Sequence, residues 1–127
     1  MLLFGRWTRI IKLSKMKELP ALMERTLREY IEKHRPPEEI RNKLDIGYSH
    51  DKQSIFLEEI RPRWDKPEII MRIPYAKIRY IKSQNIFKLY WQRASLKWEL
   101  YEPFPESTHL QKLLDVVTED GYGCFKG

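Results

Sequence analysis

A chain of 127 residues with 42% hydrophobic and 33% charged side chains has the length and composition of one folded domain and not of a disordered segment; it is long enough to need no metal or disulfide staple. Its single cysteine, Cys124, excludes an internal disulfide and suits a reducing compartment. No apolar run nears the ~20 residues of a membrane-spanning helix, and Arg6, Arg9 and Lys12 interrupt the N-terminus where a signal peptide would be apolar, so a cytoplasmic protein is expected.

Residues 1–17 carry five basic groups and no acid, and are read as a basic extension preceding a single domain over 18–127. The first firm element is a helix from Pro20 to Lys33. Leu19, Leu22, Met23, Leu27, Tyr30, Ile31 and His34 recur at helical spacing, Pro20 suits a first turn, and Pro36-Pro37 stop the helix.

Period-two alternation then takes over. Leu44, Ile46 and Tyr48 predict a strand, His50–Gln53 a turn, and Ser54–Ile60 a returning strand. The stretch Arg61–Pro67 holds two prolines and is expected to be irregular. A meander follows over Tyr75–Ser83, Ile86–Arg93 and Leu96–Tyr101, with Gln84-Asn85 and Ala94-Ser95 as its turns. Ser107 is expected to cap a C-terminal helix bearing Leu110, Leu113, Leu114 and Val117, and Gly121 to end it, with Tyr122 and Phe125 folding back from the tail. The fold class is therefore α+β: an antiparallel sheet of about five strands, a hairpin plus a three-strand meander, packed against an N-terminal and a C-terminal helix.

Strand parity sorts the meander by face. Ala76, Ile78, Tyr80, Phe87, Leu89, Trp91, Leu96, Trp98 and Leu100 are expected on the core side. Lys77, Arg79, Lys88, Tyr90, Gln92, Lys97, Glu99 and Tyr101 are expected opposite. Residues 75–101 hold six basic groups against Glu99 alone, so this second face is basic and aromatic. Cations that meet phosphates, interleaved with rings that stack on bases, make a surface for single-stranded nucleic acid. Lys77, Arg79, Lys88 and Lys97 are its candidate phosphate contacts, with Tyr90 and Tyr101 as candidate stacking rings. A solvated sheet face is the plainer alternative.

Arg61 and Arg63, separated by the rigid Pro62, form a second candidate anion site; alternatively Arg63 and Asp65 pair with Glu58 and Glu59 while Trp64 plugs the core. Glu58, Glu59 and Asp65 make a poor metal cluster, since adjacent strand residues point to opposite faces. His34, His50 and His109 lack metal-ligand spacing, and no phosphate-binding loop is present. No catalytic residue, metal or cofactor is assigned.

Pro36-Pro37, Ile46-Gly47-Tyr48, Arg61-Pro62-Arg63-Trp64-Asp65, Tyr90-Trp91-Gln92-Arg93, Lys97-Trp98 and Gly123-Cys124-Phe125, in this order and spacing, resemble a bacterial family known only as domain of unknown function 3024. The resemblance covers about residues 18–127. It departs from the family pattern at Lys52, where a glycine is expected, and at Lys126, where an aromatic is expected. It implies a small bacterial protein and carries over no site residues. The reading that results is a non-catalytic nucleic-acid-binding module. The alternatives are a metal-independent ribonuclease of the toxin type, working through Lys88, Tyr90 and Arg93, and a protein-interaction domain.

Overall fold

A computed structural model of the chain describes residues 19–126; the basic extension expected over 1–17 lies outside the described residues. Helix α1 spans Ala21–His34 and buries Leu27, Tyr30 and Ile31, with Met23 partly buried on the same stripe. Leu22, expected in that stripe, is exposed, because it lies about 120° around the helix from the stripe's centre. Pro20 takes the N-cap position in extended geometry and accepts the Glu24 N–H (3.0 Å), which leaves its own missing donor without consequence. Pro36 and Pro37 end the helix as expected, with Arg35 already extended.

Arg35 ties this end of α1 to the sheet through a two-point contact with Asp45, at 2.6 Å (Nη2–Oδ2) and 3.2 Å (Nε–Oδ1). Asp45 also accepts the Ile46 N–H (2.8 Å). Burial works to raise the Asp45 carboxyl, but the Arg35 hydrogen bond, the Ile46 N–H and the guanidinium charge outweigh it and hold the group below its ordinary value. A depressed carboxylate stabilises the fold above the unfolded value of about 3.9, and that contribution is lost as the pH falls through the lower folded value. Asp45→Asn is therefore expected to melt below wild type at neutral pH. The two melting curves, followed by circular dichroism, should converge only as the pH is taken well below about 4.

After a 3₁₀ turn at Glu38–Ile40 the chain enters the sheet. Strands β1 (Asp45–Asp51), β2 (Ser54–Pro62), β3 (Ile70–Ile81), β4 (Ile86–Gln92) and β5 (Trp98–Leu100) lie side by side in chain order, all antiparallel, and the two-residue β6 (Glu106–Ser107) pairs with β4 beyond the end of β5. The fold is α+β. Helix α2 (Leu110–Glu119) joins α1 on one face, where Leu113, Leu114 and Val117 share a core with Ile55, Leu57, Ala76, Ile78, Phe87 and Leu89.

Four expectations need correction. First, Arg61 and Pro62 continue β2, paired with Met71 and Ile70. Arg63 donates to the Ile69 carbonyl (2.8 Å), so by alternation the Pro62 nitrogen faces the side where β1 has already ended and no ladder bond is lost. Second, β3 starts at Ile70 and passes through Pro74. Leu57 pairs with Ala76 and Glu58 with Pro74, so Tyr75 is an extra, bulged residue, which explains why Tyr75 and Ala76 are both buried although adjacent. Third, Ser107 lies in β6 and its hydroxyl accepts the His109 N–H (3.0 Å); His109 is the N-cap of α2. Fourth, the left-handed residue closing α2 is Asp120 (φ 46°) and not Gly121, and in the tail Phe125 is buried while Tyr122 is exposed. The Asp120 carboxylate accepts the backbone N–H groups of Phe125 (3.0 Å) and Lys126 (2.8 Å), which pins the tail against the domain.

Candidate nucleic-acid interface

The sheet face turned away from the helices is assembled by register. Across it runs a row of directly opposed residues, Ser49, Phe56, Lys77, Tyr90 and Leu100, contributed by five strands. The next row is Asp51, Ser54, Arg79, Lys88 and Glu106, with an acidic residue at each end. Lys77, Arg79, Lys88 and Tyr90, four of the residues singled out from the sequence, therefore share one face. Among the described residues no helix covers it, because both helices pack on the side of Ile78 and Leu89. None of the three cations is in an ion pair among the described residues. The Lys77 ammonium lies over the Tyr90 ring, 5.2 Å from its centroid, so the charge and the ring are already adjacent.

Tyr101 and Lys97 are not part of this face. The Ala94-Ser95 turn is one residue longer than expected: Leu96 adopts a left-handed conformation (φ 71°), its N–H reaches the Arg93 carbonyl (2.8 Å), and β5 begins at Trp98, opposite Gln92. A one-residue shift exchanges the faces of the whole strand. Trp98 and Leu100 thus join Tyr90 on the open face, and Glu99 shares the parity of Trp91. Tyr101 is only 3% exposed and stacks on Phe125 with 4.9 Å between ring centroids. Lys97 is exposed in the loop before β5. Arg93 pairs with Glu99 (3.5 Å) and is not brought to Lys88 and Tyr90, so the three residues of the ribonuclease alternative do not converge.

Two aromatic residues missed from the sequence enter instead. Phe56 and Trp98 lie with ring centroids 5.9 Å apart although their strands are separated by β3 and β4. On a flat sheet, three spacings of about 4.8 Å and a two-residue offset would hold their Cα atoms about 16 Å apart. Side chains of this length cannot close that gap, so the sheet must curl toward this face, which brings the two rings together across β3 and β4. The position of Phe56 was readable from the alternation of Ile55 and Leu57; that of Trp98 depended on the loop length.

The other sequence candidates are placed elsewhere. Arg61 is exposed near the far end of β2, and the guanidinium of Arg63 is engaged by Asp65 at 2.6 Å (Nε–Oδ1) and 3.0 Å (Nη2–Oδ2). Trp64 does not plug the core: it is 91% exposed, in the β2–β3 connection beside exposed Ile69 and Ile70. Glu58 is buried on the open face against Arg72 (2.8 Å) and Ser49 (2.9 Å), while Glu59 points to the opposite side. Burial first, then Asp120, holds the Cys124 thiol above its ordinary range, which disfavours a nucleophilic thiolate.

A family model described as Domain of unknown function (DUF3024) matches residues 16–127. The chain belongs to this family. The DUF3024 match takes in both helices and all six strands of the described residues, and hence every residue of the basic face. No curated protein and no solved structure matches the chain. No helix among the described residues is long and apolar enough to cross a membrane.

Proposed function

We propose that this DUF3024 protein is a non-catalytic module that binds single-stranded nucleic acid on the helix-free face of its sheet. The observation that carries the reading is the in-register placement of Lys77 beside Tyr90 and Arg79 beside Lys88, none of the three cations in an ion pair among the described residues although Glu106 stands opposite Lys88, on a face that also presents Phe56 and Trp98. Phosphates would meet the three cations and bases the open edges of the half-buried rings, and neither contact demands a particular base sequence.

The test is fluorescence anisotropy with a labelled oligonucleotide over ~50 to ~200 mM salt. Wild type should weaken steeply with salt. The triple variant Lys77→Glu, Arg79→Glu, Lys88→Glu should bind at least about 100-fold more weakly, with a log–log salt slope reduced by about 2, roughly 0.7 for each lost phosphate contact. Affinity indifferent to the triple variant would sink the proposal. RNA cleavage in EDTA that disappears in Tyr90→Phe would move the assignment to the ribonuclease reading.

A protein-interaction reading has one observation of its own, the exposed Trp64 with Ile69 and Ile70 at the β2–β3 end. Exposed tryptophan with aliphatic neighbours is a common anchor at protein interfaces.

A further inference from the structure

Beneath the C-terminal tail, beside the bulge of β3, a cavity of about 240 Å³ is lined by Glu59, Tyr75, Gln92, Cys124, Phe125 and Lys126, with Ile73 and Pro74. Its size corresponds to about eight water molecules. The only acid among these residues is Glu59, which is half-buried and in no ion pair among the described residues. The only cation is Lys126, and its ammonium lies over the Tyr75 ring, 4.9 Å from the centroid, without pairing with Glu59. An unpaired carboxylate lining the same cavity as the face of an aromatic ring is the combination that recognises an organic ammonium group. It would repel an anion.

We infer that this cavity is a binding site for a small primary ammonium compound, and that the Lys126 side chain is its built-in occupant. Three features support the second part. The Lys126 backbone is held by Asp120 (2.8 Å), so its side chain is delivered to the cavity by a fixed anchor. The side chain itself is exposed, so it can swing away without unfolding anything. And Tyr75, which supplies the ring, is rigidly placed: it is the bulged residue of β3, 7% exposed, with its hydroxyl buried. Gln92 is likewise fixed, its amide donating to the Leu96 carbonyl (3.0 Å). A free ammonium would displace that of Lys126 from the ring and gain the Glu59 carboxylate, which the tethered lysine does not reach.

The probe is n-butylammonium, titrated into ¹⁵N-labelled protein at neutral pH with butyrate as the charge control at equal ionic strength. Saturable shifts are expected at Glu59, Tyr75 and Gly123–Lys126 with butylammonium alone. Lys126→Ala, which removes the occupant, should bind the probe about tenfold more tightly, and Lys126→Gln should agree with it. Glu59→Gln should bind at least tenfold more weakly while keeping a dispersed spectrum. Equal shifts from both probes, absence of saturation in wild type and both Lys126 variants, unchanged affinity when Lys126 is removed, or unchanged affinity in Glu59→Gln would each overturn the inference. The oligonucleotide experiment is read through Lys77, Arg79 and Lys88, none of which lines the cavity, so the two results stand independently.

Discussion

Tyr101→Ala is expected to destabilise the protein by about 3–5 kcal/mol, the range for emptying a buried aromatic site. The ring is enclosed on the helix side of the sheet, stacked on Phe125 at an interplanar angle of 50°, and its backbone N–H is bonded to the Leu89 carbonyl (2.8 Å). Burial, ahead of Cys124, Asp120 and Tyr122, pushes its hydroxyl above the ordinary tyrosine range, as an enclosed site requires. Urea denaturation followed by tryptophan fluorescence measures the loss. Tyr101→Phe keeps the ring and should remain close to wild type. Oligonucleotide affinity, measured at a temperature where the variants are folded, should be unaffected by either change. A loss below about 1 kcal/mol for the alanine variant would return the ring to the surface and restore the parity first inferred for β5.

The second large effect is expected at Asp120, which acts twice: its backbone closes α2 in a left-handed conformation, and its carboxylate holds the tail through the Phe125 and Lys126 N–H groups. Asp120→Ala loses both acceptors and places an alanine where a Cβ is disfavoured, an expected loss of about 2–4 kcal/mol. Asp120→Gly relieves the backbone but still frees the tail, so it should fall between alanine and wild type. Asp120→Asn tolerates the backbone and keeps one oxygen, and should be the mildest of the three. The order is read from chemical denaturation. Hydrogen exchange at Phe125 and Lys126 should accelerate in the alanine and glycine variants. Unchanged protection there would show that the tail is held by the burial of Phe125 alone.

Much of this architecture is written in local pattern. The α1 stripe of Leu27, Tyr30 and Ile31, the stop at Pro36-Pro37, and the β1–β2 alternation each depend on neighbours a few residues away, and each was legible. What escaped reading depends on single-residue register. One residue in the loop after β4 exchanged the faces of Trp98 and Tyr101; one bulged residue let β3 accommodate Pro74 and bury both Tyr75 and Ala76. Neither Leu96 nor Tyr75 carries a side chain that announces such geometry, since a left-handed leucine is uncommon and a bulge has no residue signature of its own. The candidate face was consequently half legible. Lys77, Arg79, Lys88 and Tyr90 follow from β3 and β4 alone, whereas the Phe56–Trp98 pair requires knowledge of the loop and of side chains meeting across two intervening strands.

Because every main strand pairs with its neighbour in the chain, assembly of the sheet closes only short loops, and each closure carries a small entropic penalty. During synthesis the meander can therefore zip together strand by strand as it leaves the ribosome. The part of the cover that carries Leu113, Leu114 and Phe125 arrives late, since it follows all six strands in chain order. The nascent protein thus passes through an interval in which Ile55, Leu57, Ile78 and Leu89 are aligned but covered by α1 alone, and it is then that a chaperone or a second nascent chain would find them.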